Sequence, residues 1–456
     1  MRFMKFGVVA GMCLMANLAG CRNFLDSEKA VSDPNNPTVA SRNQLFVAVE
    51  ANIFGQQEGP VPMIVCEWMQ QCAGVGGRFV DQQGTYGGIN SGSFDGSFQS
   101  IYTGGGLIQI RSVESSATAD GDKLYLGIAQ VAEAMDVLWG ADIWGDIPYR
   151  DAVGSNATPK FDPQQQVYAD LLALLDKAIA NMGAGGTGPA GFDLVYGGNA
   201  QKWIEAAHTL KARIYLHQVE KLGNGQYTSA LAEARKGISS PADDWNTKHS
   251  TATSERNLWA QFQFSSFGQD LVAGSVLANL MNAQNDPRLP QYFSKNAVGT
   301  YGGYDVSTQT TAGDQISSVL GSARTNDVTF PQPIITYDET QLIIAESALQ
   351  TGDVASAATA LNTVKARYGK ALILAPTLTD IMDEKFITLF QNVETWNDIK
   401  RTCIPALRPS RGKPAVPGRL IYGQTEEQTN PNTPSSANQN LFTVRNWNDP
   451  NACPTS

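Results

Sequence analysis

The sequence predicts a mainly α-helical fold built on degenerate tetratricopeptide-like helix hairpins, interrupted by long irregular loops. Three observations predict it. Most long segments repeat apolar residues at helical spacing. The stretch 341–368 reads as helix, Gly-Asp turn, helix, with small residues where the two helices would touch. Between the periodic segments lie Gly-rich stretches with no periodicity.

Residues 1–20 read as an export signal outside the fold. Arg2 and Lys5 precede an apolar run from Phe6 to Ala19, too short for a comfortable membrane span. The run ends Leu18-Ala19-Gly20-Cys21, the lipobox pattern of bacterial lipoproteins. Cys21 is therefore the expected lipid anchor, with more than one acyl chain for stable attachment. The turn-rich arm 22–38 contains Asp33-Pro34-Asn35-Asn36-Pro37-Thr38 and has no helical or strand pattern. Residues 21–456 then read as one domain, closed by a tail over 408–456.

Helical periodicity covers 39–54, 98–114, 120–138, 163–180, 200–221, 227–238, 270–283, 338–350, 354–368 and 379–390. In 120–138, Leu124, Ile128, Val131 and Met135 form one stripe, and a helix end is expected at Gly140. Pro163 suits a first helical position, with Asp162 before it as N-cap. In the 341–368 hairpin, Ala345, Ala348, Ala357 and Leu361 mark the contact and Gly352-Asp353 the turn. Tyr227, Ala230 and Ala234 echo that pattern more faintly. Such small residues allow two helices to cross closely. Long loops fall at 74–106, 183–198 and 301–324.

Composition narrows the function. Charged residues are 17% of the 456 and the net charge is −10, which excludes a basic nucleic-acid binder. Loss of residues 1–20 removes two cations and no acid, so the mature charge becomes −12. The chain is rich in Gly (43) and carries 8 Trp, 14 Tyr and 18 Phe, a surface suited to neutral ligands. Cys66, Cys72, Cys403 and Cys453 remain after Cys13 and Cys21 are set aside, and four cysteines allow three pairings. Cys66–Cys72 with Cys403–Cys453 is the preferred one. It requires a helix end between Cys66 and Cys72, because residues six apart do not share a helix face. The cysteine spacings do not fit zinc, and His208, His217 and His249 form no i,i+4 pair, so no metal site and no cofactor are expected.

The densest motif is Trp144-Gly145-Asp146-Ile147-Pro148-Tyr149. Asp142 and Asp146 beside Trp144 and Tyr149 invite a glycosidase reading, which needs two carboxylates at a set separation. A helix end followed by a tight loop, with Asp side chains capping backbone N–H groups, explains the same residues. No phosphate loop, nucleophile elbow, zinc helix or dinucleotide fingerprint occurs. Loop aromatics cluster twice: Trp68, Phe79, Tyr86, Phe94, Phe98 and Tyr102 near the first Gly-rich loop, and Tyr292, Phe293, Tyr301 and Tyr304 near the last. Trp68, Tyr86, Phe94, Tyr102, Tyr292, Tyr301 and Tyr304 are the candidates for stacking on sugar rings, with Gln82, Gln83 and Asn90 near them to bond hydroxyls.

Together these features resemble the SusD/RagB family of outer-membrane lipoproteins. The resemblance starts at Cys21-Arg22-Asn23-Phe24-Leu25-Asp26 and continues through the Asp-Pro-Asn arm. Trp144-Gly145-Asp146-Ile147-Pro148-Tyr149 is similar to the family's Tyr/Trp-Gly-Asp-Val/Ile-Pro-Tyr hallmark. Asp286-Pro287-Arg288, Ala345-Glu346, Glu384-Lys385, Trp396-Asn397-Asp398-Ile399-Lys400-Arg401 and Val416-Pro417-Gly418-Arg419-Leu420 look like later family segments, whereas 388–392 departs from the pattern. The resemblance implies a SusD-like α-helical fold with a few short strands and no catalytic residues. Trp144, Gly145, Asp146, Pro148 and Tyr149 then become structural. It also implies a lipid-anchored protein of the outer membrane facing the cell exterior, which captures oligosaccharides or other polymer fragments for a SusC-like TonB-dependent transporter. A glycan-degrading hydrolase and a helical-repeat envelope assembly lipoprotein without a small ligand are the rival readings.

Overall fold

The computed structural model describes residues 40–454. The expected export signal, Cys21 and the 22–38 arm lie outside the described residues. By its contacts the chain divides into residues 1–44 and a compact unit of 45–456.

The longer helices are α1 (Arg42–Glu58), α2 (Pro60–Trp68), α3 (Leu107–Ala119), α4 (Lys123–Trp144), α5 (Gln164–Gly183), α6 (Ala200–His217), α7 (Gly225–Ala234), α8 (Ser275–Ala283), α9 (Tyr337–Gln350), α10 (Val354–Arg367), α11 (Leu378–Thr388) and α12 (Glu394–Thr402). From α3 to α7 each helix packs on the next, α7 packs on α9, and α9 takes both α10 and α11. This is the expected succession of hairpins. The predicted contact residues Ala345, Ala348, Ala357 and Leu361 have no exposed surface. The fainter echo is also real: Tyr227, Ala230 and Ala234 pack with Ala212 and Leu216 of α6. Two antiparallel ribbons complete the fold, β1 (Cys72–Gly74) with β3 (Leu271–Ala273), and β2 (Trp245–Asn246) with β4 (Pro333–Ile335).

Local signals start and stop these helices. Asp122 accepts a hydrogen bond from the Tyr125 N–H at the start of α4, and Asn199, Thr336 and Asp353 cap α6, α9 and α10 in the same way. α11 begins with a capping box between Thr377 and Asp380. α4 is the central element and is buried on every face from Tyr125 to Trp144. Its Gly127 permits close approach to α5, since a Cβ there would stand 2.6 Å from the Ala178 carbonyl oxygen.

Several expectations need correction. α4 does not end at Gly140 but runs to Trp144, and stops where Gly145 adopts φ +85°. The 98–114 helix is broken: a short turn Asp95–Gln99 precedes α3, and Gly104 and Gly105 between them have φ +67° and +117°. A Cβ on Gly105 would run into the Ala48 carbonyl of α1, so the loop needs glycine there. Residues 271–273 of the 270–283 helix form β3 instead. Pro163 is itself the N-cap of α5, and Asp162 turns back to accept from the N–H groups of Tyr149 and Arg150. α2 and α12 are helices that the periodic pattern missed. The tail from Arg408 crosses the body, with Ile421 O accepting from Trp144 Nε1 and Asn446 donating to the Asp142 carbonyl. The structure bonds Cys66 to Cys72, between the end of α2 and β1, and Cys403 to Cys453, which ties the tail to α12.

Candidate functional site

A groove of about 570 Å³ lies between α1, the start of α2 and the segment 93–104. That volume falls within the range of small-molecule sites. α1 contributes Asn52 and Gln56, one turn apart and therefore on one face. The loop contributes Ser93, Phe94, Ser97 and Ser100, and α4 contributes Trp139. No charged side chain lines the groove.

The two amides are held in fixed poses. Asn52 donates from Nδ2 to the Ser100 carbonyl oxygen at 3.0 Å, and Gln56 donates from Nε2 to Asp136 Oδ1 at 2.6 Å. Asp136 is fully buried on α4, and burial pushes its carboxyl well above the usual carboxylate range. Burial thus favours the neutral acid, and Asp136 serves as a buried anchor for the amide. Gln56 Oε1 is itself buried and has no hydrogen-bond partner among the described residues, so half-buried Asn52, its NH2 committed, is the amide that offers the groove a carbonyl oxygen. Hydroxyl-bearing ligands supply matching donors.

The sequence-derived aromatic candidates do not assemble into one face. Phe94 lines this groove but is 5% exposed. Tyr102 is half-buried beside it, donates to the Pro148 carbonyl at 3.0 Å and lines a neighbouring hollow of about 240 Å³. Trp68 and Tyr86 are core residues. Trp68 donates to the Gln82 carbonyl and packs edge-on against Trp396, and the Tyr86 hydroxyl accepts from the Ser410 N–H. Tyr292 is buried and stacked on Phe390 at 4.5 Å, and half-buried Tyr301 and Tyr304 are tied to α8 and β3 by backbone hydrogen bonds. Loop anchoring accounts for the rings of Trp68, Tyr86 and Tyr292. Asn52, Gln56 and Trp139 were not among the sequence candidates. Two amides four residues apart were the only sequence signal for Asn52 and Gln56, on a helix as polar as it is apolar, and Trp139 had none.

The Trp144–Tyr149 motif is a structural joint. Trp144 has no exposed surface, and a Cβ on Gly145 would stand 2.6 Å from Asn446 Oδ1. Asp146 Oδ1 accepts the first N–H of α5 at 2.8 Å, the Pro148 carbonyl takes the Tyr102 hydroxyl, and the Tyr149 hydroxyl donates to Glu133 at 2.9 Å. The carboxylates of the hydrolase reading therefore have unlike surroundings. Asp146 is an exposed cap, whereas Asp142 is 4% exposed and accepts from Tyr168 and Asn397.

Among the described residues, Asp142, His217 and Glu394 bring potential metal ligand atoms within 4.8 Å of one another. The spacing of the histidines in sequence gave no hint of this cluster. His217 Nδ1 lies 3.1 Å from Asp142 Oδ1, and Nε2 lies 2.7 Å from Glu394 Oε1. Burial opposes charge on the ring, but the two carboxylates override it and push His217 up to about 9. The raised pKa favours the imidazolium, with both nitrogens protonated and each facing a carboxylate, and a cation at this cluster would have to displace that proton. A proton holds these three groups together.

A family model described as "Starch-binding associating with outer membrane", of the SusD-like group, matches residues 34–371. Solved structures share the fold. A SusD/RagB family protein from Bacteroides thetaiotaomicron aligns at a TM-score of 0.73 and 20% identity, over 90% of this chain and 99% of that one. A structure named as a chitin-binding protein aligns at 0.73 and 21% identity, with the same coverage. A chitin-binding SusD homolog from Flavobacterium johnsoniae aligns at 0.70 and 18% identity, over 89% and 98%. A search of curated proteins found no match. The hairpin succession and the Trp144–Tyr149 joint agree with a family match covering well over half of the sequence, and the chain belongs to the SusD-like family, whose members are binding proteins associated with the outer membrane.

Proposed function

We propose that this protein is a non-enzymatic surface lipoprotein that captures neutral oligosaccharides in the α1 groove and hands them to a SusC-like TonB-dependent transporter. The chemistry of the groove carries the reading: the fixed Asn52 amide, serine hydroxyls and aromatic edges, with no charged lining among the described residues. Sugars present many hydroxyl donors and apolar C–H faces, which is the complement of that lining. Cys21 tethers the mature chain to the outer membrane, facing the exterior, and no cofactor takes part. Family membership supports glycan as the ligand class, and the chitin-binding relatives make chito-oligosaccharides the first probe.

Calorimetry against chito-, malto- and peptide ligand panels, at low and high salt, tests this. The expected result is carbohydrate binding that is insensitive to salt, because no ion pair contributes, and that is abolished by Asn52→Ala. Preference for peptides, or unchanged binding in Asn52→Ala, would overturn it. Co-purification with a TonB-dependent barrel tests the delivery step, and its absence from a pull-down of envelope proteins would favour the assembly-lipoprotein alternative.

A further inference from the structure

Gly55 is unexplained by folding. It lies inside α1, where glycine costs about 1 kcal/mol relative to alanine. Its φ is not positive, and a Cβ built on it would meet nothing within 4 Å among the described residues. Gly59, one turn on, is different: its Cβ would stand 2.6 Å from the Gly55 carbonyl oxygen. Neither conformation nor packing requires Gly55.

Its place on the surface supplies a reason. A second cavity, of about 520 Å³, lies on the other side of α1. Unlike the first it carries charged side chains: Glu58, Lys248, Glu255 and Arg256 line it beside Phe54 and Leu258. Glu58 is fully buried and accepts from the Leu258 N–H, and its other oxygen lies 2.7 Å from His249 Nε2. The two cavities share two lining residues, Ala51 and Gly55. These are four apart, on one ridge of the helix. The wall between the cavities is therefore a bare stretch of backbone topped by a single methyl group. Each cavity alone has the volume of a small-molecule site, and a ligand confined to one side would need no lowered ridge.

We infer that the ligand is a linear oligosaccharide chain that crosses α1 over Ala51 and Gly55 and occupies both cavities at once. This rests on the reading of the Asn52–Gln56 groove as a sugar site and adds a chain-length requirement to it. Glycine at position 55 keeps the crossing low, and any side chain there would stand in the path of the chain.

The test is calorimetry of the full protein with dimers and hexamers of the chito- and malto-series. It compares the wild type with Gly55→Ala, Gly55→Leu and Gly55→Trp, each checked for folding by thermal melting. The wild type should bind hexamer more tightly than dimer. The loss should grow with side-chain volume, and Gly55→Trp should weaken hexamer about tenfold more than it weakens dimer. Equal effects on dimer and hexamer, or an unaltered hexamer affinity in a folded Gly55→Trp, would overturn the crossing while leaving the groove as a sugar site. Failure of the wild type to bind any oligomer would overturn both.

Discussion

The buried His217 cluster makes a quantitative prediction about stability. Its ring is held as an imidazolium between Asp142 and Glu394, and its pKa rises from 6.5 to about 9. At 1.36 kcal/mol per pKa unit, this interaction stabilises the fold by about 3 kcal/mol. Burial raises Glu394, but the same ring, with Arg213 and Lys385, more than offsets it and brings the group down to about 2, so the His217 part of that shift is the same interaction and is not counted again. The sign follows from the direction. A group whose folded pKa is raised contributes fully below its unfolded value of 6.5, and the contribution is lost as pH rises through about 9. The comparator is the neutral triple variant Asp142→Asn, His217→Gln, Glu394→Gln, which keeps the shape and leaves no buried carboxylate without its cation. Removing His217 alone would strand two carboxylates and cost about 3–5 kcal/mol. Urea unfolding from pH 6 to 10, followed by Trp fluorescence, gives the difference curve. Glu114 and Glu50, raised to about 9 and about 10 by burial, titrate in both proteins and cancel. Wild-type stability relative to the triple variant should fall by about 3 kcal/mol across that window. A flat difference curve would refute the charged-imidazole assignment.

Other perturbations follow from the same packing. Gly127→Ala drives a methyl toward the Ala178 carbonyl at the α4–α5 crossing and should destabilise the protein by about 1–3 kcal/mol in thermal melting. Breaking the Cys403–Cys453 bridge, which links residues 50 apart, should cost about 4 kcal/mol. Breaking Cys66–Cys72, a separation of 6, should cost about half as much, as read from denaturation of the two Cys→Ser double variants. Asp146→Ala removes a cap of α5 and should lower stability by about 1 kcal/mol without creating or abolishing any glycan hydrolysis.

The hairpins were legible in the sequence because helical packing writes itself in local spacing: Ala345, Ala348 and Ala357 fall where paired helices must touch. Other elements left no local mark. Residues 61–68 of α2 are buried on all sides, so the helix has no amphipathic stripe to detect. α12 carries Glu394, Asp398, Lys400 and Arg401, which look like a solvated face in sequence. In the fold they are buried, Arg401 pairing with Glu346 and Asp398, and Lys385 with the same two acids. The break at Gly104-Gly105 comes from the approach to α1, a tertiary constraint. The site was the least legible part. Aromatics crowded beside Gly-rich loops suggested stacking platforms, but Trp68, Tyr86 and Tyr292 anchor those loops to the core. The groove draws instead on Asn52, Gln56, Ser97 and Trp139, residues some 80 positions apart that only the α1–α4 packing brings together, with Asp136 behind them.

Sugar capture on α1 is tested most directly by where a sugar binds. A crystal structure of the protein with chitohexaose, at a concentration that saturates binding by calorimetry, would settle the location. Density should lie along α1, with a sugar hydroxyl on the carbonyl oxygen of Asn52 and the chain passing over Gly55. Density confined to a cavity of about 180 Å³ lined by Arg288, Tyr292 and Arg324, or to the exposed rings of Phe264 and Phe267, with the α1 groove empty, would contradict sugar capture on α1.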